Sequence, residues 1–216
     1  MKIVGPAVMG LQLSFQEDWN WATGQKLEVT WQPMPAPDRN VPVLILPSGP
    51  ADELETASLM FQHAIHSATK RMWIASPYFV PDEAILGALH LAALRGVDVR
   101  LLIPNDADHL LVYLSAFAFV GEMLDAGIKI YRYDQGFLHQ EDTAAGVGTA
   151  NLVNRSFRLN FEITAIIVDR SFAQQTEEML LADFARARLM TREELDRKPF
   201  WFRAAARAAY LSAPVQ

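Results

Sequence analysis

The sequence predicts an α/β domain: a mixed, largely parallel sheet with helices on both faces. Two observations carry this expectation. Three helix-then-strand units follow one another between Asp52 and Tyr133, and each strand is apolar throughout or in alternation. A strand, a helix and a further strand in succession demand a crossover, which is right-handed and covers the sheet on both sides.

The first element read from the N-terminus is a helix. Gly5-Pro6 precedes Val8, Leu11, Phe15 and Trp19 at helical spacing, and Gly24 stands where a C-terminal cap belongs. Repeated prolines between Trp31 and Pro50 read as a connector with one short β-prone run, Val41 to Leu46. The first unit's helix has Asp52, Glu53 and Glu55 in its first turn and Lys70 and Arg71 at its end, as the helix dipole favours. Leu54, Phe61, Ile65 and Ala68 form its apolar face, and Met72 to Ala75 is the strand that follows. In the second unit Pro81-Asp82-Glu83 starts a helix that closes at Gly96, before alternating Val97, Val99, Leu101 and Ile103. Asp108 opens the third, Leu111, Leu114, Ala118 and Leu124 supply its spacing, Gly127 ends it, and Ile128 to Tyr133 is its strand.

After Tyr133 the rhythm changes. Candidate strands near Ala144 to Thr149 and Phe161 to Val168 flank the loop Asn151 to Asn160, too close together for a crossover. A final helix, Phe172 to Leu189, is expected to turn Met179, Leu180 and Phe184 inward.

Composition narrows the function. A chain of 216 residues that is 51% hydrophobic buries a sizeable core. With no cysteine there is no disulfide, thiolate metal site or thiol nucleophile, which fits a reducing, cytoplasmic setting. A net charge of −6 disfavours nucleic acid as a partner. No secretory leader opens the sequence, and the longest apolar run, Leu110 to Leu124, is too short to span a bilayer. His63 and His66 share a helix face but have no evident third ligand, so no metal is expected.

The chemistry concentrates in one segment: His139-Gln140-Glu141, then Gly148-Thr149-Ala150-Asn151, then Asn154 through Glu162. This order resembles the second catalytic motif of bacterial cardiolipin synthases, in the phospholipase D superfamily: His-x-Lys, four residues, Asp, six residues, Gly-Ser/Thr-x-Asn. Ser76 to Glu83, Leu94 to Val99, Asp108 to Tyr113 and Gly127 to Tyr133 agree with the same family. So does the opening helix with Asp18-Trp19 and Trp21, which resembles the piece downstream of a first copy of the motif that would precede Met1.

The resemblance implies a phospholipase-D-type fold in three parts: residues 1–40 as the tail of a first half plus connector, 41–190 as the second half, and 191–216 as a basic, aromatic tail. It implies phosphatidyl transfer between phosphatidylglycerol molecules through a phosphohistidine, with no metal or cofactor. One histidine attacks phosphorus while another protonates the leaving alcohol and deprotonates the incoming one. Lysine, Ser/Thr and Asn donors stabilise charge on the phosphoryl oxygens. His139 is then one of the two histidines, Glu162 its orienting carboxylate, and Thr149 and Asn151 the phosphate contacts. Anionic phospholipid is the implied partner, with peripheral contact at the inner membrane and a homodimer as one way to gather two histidines.

Three departures predict negligible turnover. Glu141 stands where the motif has lysine; His139 to Gly148 is nine positions where the motif has fourteen, which leaves the motif aspartate without a counterpart; and the first motif is absent from these residues, with Val153 replacing the aspartate of the family's Asn-Leu-Asp-Asn-Arg-Ser run. The alternative is a non-catalytic lipid-surface or protein-interaction domain. In the tail, Lys198, Arg203 and Arg207 beside Phe200, Trp201, Phe202 and Tyr210 suit either an anionic lipid surface or a docked helix.

Overall fold

The computed structural model describes residues 1–35, 40–105, 110–133, 138–141 and 144–211; at 112, 138–141 and 203 it describes the backbone alone. In chain order the elements are α1 (Val8–Thr23), β1 (Val43–Ser48), α2 (Thr56–Ser67), β2 (Arg71–Ala75), β3 (Phe79–Val80), α3 (Glu83–Leu94), β4 (Asp98–Pro104), α4 (Leu110–Asp125) and β5 (Lys129–Tyr133). After these come β6 (Leu138–Glu141), β7 (Ala145–Gly148), β8 (Leu152–Val153), α5 (Asn154–Arg158), β9 (Glu162–Ile167), α6 (Arg170–Arg186), β10 (Arg188–Leu189), α7 (Arg192–Asp196) and α8 (Phe200–Tyr210).

The main sheet has the order β1-β9-β7-β6-β2-β4-β5-β10. Its parallel part is β2-β4-β5, built by the predicted crossovers, and the remaining neighbours are antiparallel. The mixed α/β sheet covered on both faces is thus present. Met72, Ile74 and Leu101 face α2, α3 and α4 through Phe61, Ile65, Leu89, Val120 and Met123. Trp73, Ala75 and Leu102 face α6 through Leu180 and Phe184.

Local chemistry explains the boundaries. Asp82 caps α3, its carboxylate accepting the Ile85 N–H at 2.7 Å, and Gly24 ends α1 with its N–H on the Asn20 carbonyl. The acidic start expected of α2 is a turn instead: Asp52 accepts the Gly49 N–H at 3.2 Å, Glu55 is the N-cap, and the helix begins at Thr56. Leu54 therefore lies off the helix and is exposed, while Ala57 joins Phe61, Ile65 and Ala68 inside.

The stripes expected of three helices are rotated. In α1, Phe15 and Trp19 are 58% and 37% exposed, and the side turned inward carries Gly10 and Ser14. A Cβ on Gly10 would lie 2.9 Å from Ile45 Cβ, so the smallest residues of α1 set its approach to β1 and large rings have no room there. In α4, Leu111 is exposed, whereas Ala116, Phe117, Phe119, Val120 and Met123 are buried because both the sheet and α8 cover this helix. Asp108, expected to open it, lies outside the described residues. In α6 the stripe is Ala173, Thr176, Leu180 and Phe184, which leaves Met179 exposed.

Asp98 ties three strands together at the start of β4. Its carboxylate accepts from Trp73 Nε1 at 3.1 Å, Arg100 Nε at 2.8 Å and Lys129 Nζ at 2.7 Å. Burial pushes its pKa up, but the bonds from Arg100, Lys129 and Trp73 outweigh burial and hold it below the usual carboxylate range. A depressed folded pKa stabilises the fold above the unfolded value of about 3.9, and that contribution is lost as pH falls through the folded pKa. Asp98→Asn is expected to cost about 1–2 kcal/mol at pH 7 in urea titrations. The gap to the parent should narrow as pH falls through the lowered folded pKa of Asp98; a pH-independent gap would reject the ionic origin.

Candidate functional site

The change of rhythm after Tyr133 is a hairpin. β6 lies antiparallel to β2, with Ile74 opposite His139, and antiparallel to β7, with Gly146 opposite His139. β7 continues the ladder to β9, where Gly146 faces Ile166 and Gly148 faces Thr164. His139 therefore sits in the row Ile74–His139–Gly146–Ile166. Thr149 is three residues further along, about 10 Å at the rise of a strand. Glu162 is four residues along from Ile166, about 13 Å, and two strands across.

Beyond β7 the chain is held tightly. Thr149 and Ile163 exchange two bonds: the Thr149 N–H reaches the Ile163 carbonyl at 3.0 Å, and the Ile163 N–H reaches Thr149 Oγ1 at 3.0 Å. Used as an acceptor, that exposed hydroxyl keeps its proton for another acceptor. Asn151 donates its backbone N–H to Ser156 Oγ at 2.8 Å, and among the described residues its side-chain amide has no partner. The Ser156 hydroxyl donates to Glu162 Oε1 at 2.6 Å, and Asn160 Nδ2 donates to the same oxygen at 3.0 Å. Glu162 is 7% exposed and Ser156 1%, so this carboxylate is buried against two neutral donors and closes the loop between β7 and β9.

A second tie joins the loop to the sheet. Ser76, just past β2, donates to the Tyr78 carbonyl at 2.7 Å, and its oxygen accepts the Leu152 N–H at 3.4 Å. β3 then pairs in parallel with β8, Phe79 opposite Leu152. Phe79 is buried and Tyr78 packs against the core, so these rings hold the loop.

Thr149, Asn151 and Glu162 are thus brought into one bonded loop, and His139 is set in a different row. The side chains of His139 and Glu141 lie outside the described residues. Ser156, Asn160 and Ser76 were given no part by the sequence. For Ser156 and Asn160 the signal was available, since a small hydroxyl six residues and an amide two residues before a carboxylate can close an irregular loop; Ser76 is too distant in the sequence to carry one. Val153 occupies the N-cap position of α5 and makes no side-chain capping bond. An aspartate there would accept a free N–H of α5, whereas Val153 is buried in the apolar cluster.

The cleft beside α5, about 570 Å³, is lined by Glu55, Asp82 and Glu83 as well as Asn154 and Arg158. Arg158 is paired with Glu55 at 2.8 Å, so carboxylates dominate and the cleft repels a phosphodiester. Among the described residues no group of three His, Asp or Glu side chains is placed to hold a metal ion, and no helix is long and apolar enough to cross a membrane.

Comparison with known proteins agrees with this architecture. The family described as cardiolipin synthase, phospholipase-D-like domain, matches residues 61–184. Cardiolipin synthase A of Pseudomonas putida is 54% identical over 199 residues, which is 90% of this chain and 41% of that protein. The chain therefore spans about two fifths of the length of that curated relative. Among solved structures, a phosphatidylserine synthase from Haemophilus influenzae superposes with a TM-score of 0.65 at 16% identity, over 96% of this chain and 54% of that one. The phospholipase D family member Nuc from Salmonella typhimurium gives 0.59 at 19% identity, over 70% and 99%. At these identities the two structures share the fold. The family match covers more than half of the sequence, and by it the chain belongs to the cardiolipin synthase, phospholipase-D-like domain family.

Proposed function

We propose that the chain is a phosphatidyl-transfer half-site that recognises the phosphodiester of phosphatidylglycerol and turns over negligibly by itself. The observation that carries this reading is the loop from Thr149 to Glu162, assembled around a buried carboxylate, while His139 lies about 10 Å along the ladder from Thr149. The free O–H of Thr149 and the amide of Asn151 are donors suited to phosphoryl oxygens.

In the full reaction a histidine nitrogen forms a bond to phosphorus as the bond to the glycerol oxygen breaks, and a second histidine gives that oxygen its proton. The hydroxyl of another phosphatidylglycerol then passes its proton to the second histidine and displaces the first, yielding cardiolipin. His139 supplies one such group, and a second copy of the chain or another chain supplies the other. Three features support low turnover: the offset of His139 from the donor loop, an anion at Glu141 where a phosphate would need a cation, and the shortened hairpin. The bilayer that carries the substrate is the inner membrane, approached from the cytoplasm by peripheral contact.

The test is conversion of phosphatidylglycerol to cardiolipin by the purified chain, by a variant with Glu141→Lys and five residues restored between His139 and Gly148, and by His139→Ala. Turnover is expected to be at background in the unmodified chain and at least about tenfold higher in the repaired one. Activity in the unmodified chain that vanishes in His139→Ala would overturn the claim of an impaired site. Failure of phosphatidylglycerol to protect Thr149 and Asn151 amides in NMR titrations would overturn recognition.

A further inference from the structure

Helix α8 is apolar on two opposite sides. One side is docked: Phe202, Ala206 and Ala209 are buried, Phe202 meets Phe117 of α4 edge-on at 5.1 Å, and Tyr210 meets Phe119 at 4.9 Å. A surface helix docked by one face normally turns a polar face outward. Here the outward stripe is Phe200, Ala204, Ala208 and Leu211, spaced four, four and three, with Trp201 beside it. Phe200, Trp201 and Leu211 are 79%, 68% and 82% exposed, so the stripe is uncovered in the isolated chain.

Charge indicates what covers it. The chain as a whole carries −6, yet residues 200–211 contain no Asp or Glu. Acids before the helix are engaged, Glu193 with Arg197, Glu194 with Arg188, and Asp196 with Arg192, while at its far end Tyr210 and Leu211 border the cleft of Glu55, Asp82 and Glu83. Arg207 is exposed at the border of the stripe and pairs with no carboxylate among the described residues. Lys198 lies over the rings of Phe117 and Phe202 at 5.5 and 5.0 Å where the helix begins. Phe and Trp on one side of a short helix, with the cation Arg207 at its margin and no anion within the helix itself, match the boundary between headgroups and acyl chains of an anionic bilayer.

We propose that the outward stripe of α8 docks the chain on an anionic membrane, with the helix lying in the surface plane and Phe200, Trp201 and Leu211 inserted below the headgroups. This deepens the phosphatidylglycerol reading by naming a surface that brings the chain to its lipid, and it is measured without turnover. An inactive chain that binds and an active chain that does not are therefore distinguishable.

The experiment is vesicle flotation of the full chain against Phe200→Ser/Trp201→Ser/Leu211→Ser and against Arg207→Gln, on phosphatidylglycerol–phosphatidylcholine vesicles and on phosphatidylcholine alone. The three changes leave the docked residues untouched, so the thermal midpoint should match the parent and folding is controlled. The parent should bind the anionic vesicles, about tenfold or more weakly once the three apolar side chains are gone. Arg207→Gln should bind more weakly on the anionic vesicles only. Brominated lipids should quench the parent more than Trp201→Phe. Equal binding by parent and triple variant, or no binding by the parent, would overturn the proposal. A vesicle-independent dimer that the triple variant abolishes would also overturn it and assign the stripe to a second copy.

Discussion

Gly148→Ala is expected to lower the unfolding free energy by about 3 kcal/mol and the Tm by roughly 6–12 °C. A Cβ at this position would lie 2.8 Å from both the Ile163 carbonyl oxygen and Thr164 Cα, and closer still to Thr164 Oγ1. Two of these contacts are backbone atoms of β9, which is fixed on its other side by β1, so no side-chain rotation relieves the clash. The motif's glycine is therefore a condition of the β7–β9 ladder, and its loss would also disturb Thr149 in the next row. Gly87 is the control: a Cβ there meets nothing within 4 Å on α3, and Gly87→Ala should be neutral or raise stability by about 1 kcal/mol through helix propensity. Calorimetry showing the two variants alike would mean that β7 is not held at the register described.

Glu162→Ala is the second large effect, about 2–3 kcal/mol, because it removes the carboxylate oxygen that accepts from both Ser156 and Asn160 inside a closed loop. Ser156 is 1% exposed and could recover only part of its bonding from water. Glu162→Gln retains an acceptor oxygen without the charge and should cost less than half as much. Urea titrations with a constant m-value, together with faster amide exchange at Asn151, would establish that the loop opens as a unit. Equal costs for Ala and Gln would mean that charge, rather than bonding, holds the site.

The central layers were legible in the sequence because their signals are local. Asp82 before α3, Gly96 after it and the alternation through Ile103 each report on a few neighbouring residues. What escaped depends on distant chain. Phe15 and Trp19 have the right spacing for a buried stripe, but the side of α1 that meets β1 is chosen by Gly10 against Ile45. Asp52, Glu53 and Glu55 look like a first turn, yet Asp52 closes a turn on Gly49 and the helix waits until Thr56. At the site, the resemblance singled out Thr149, Asn151 and Glu162, and the hydrogen bonds gather these three into one loop. The row of His139 became visible only through the pairings of β6 with β2 and β7, since counting five missing residues does not say which rows remain opposite.

The pairing of β1 with β9 has a consequence for synthesis. The neighbours β2, β4 and β5 can pair soon after each is made, whereas among the described residues Val43–Ser48 has its strand partner in Glu162–Ile167, more than half the chain later. Throughout that interval the ribosome carries a short run of Val, Leu and Ile with no ladder to join. Pro42 and Pro47 withhold N–H groups along that run, and a strand without those donors is a poor template for a neighbouring nascent chain. The prolines that make this stretch look like a connector thus guard the one strand of the sheet that must wait longest.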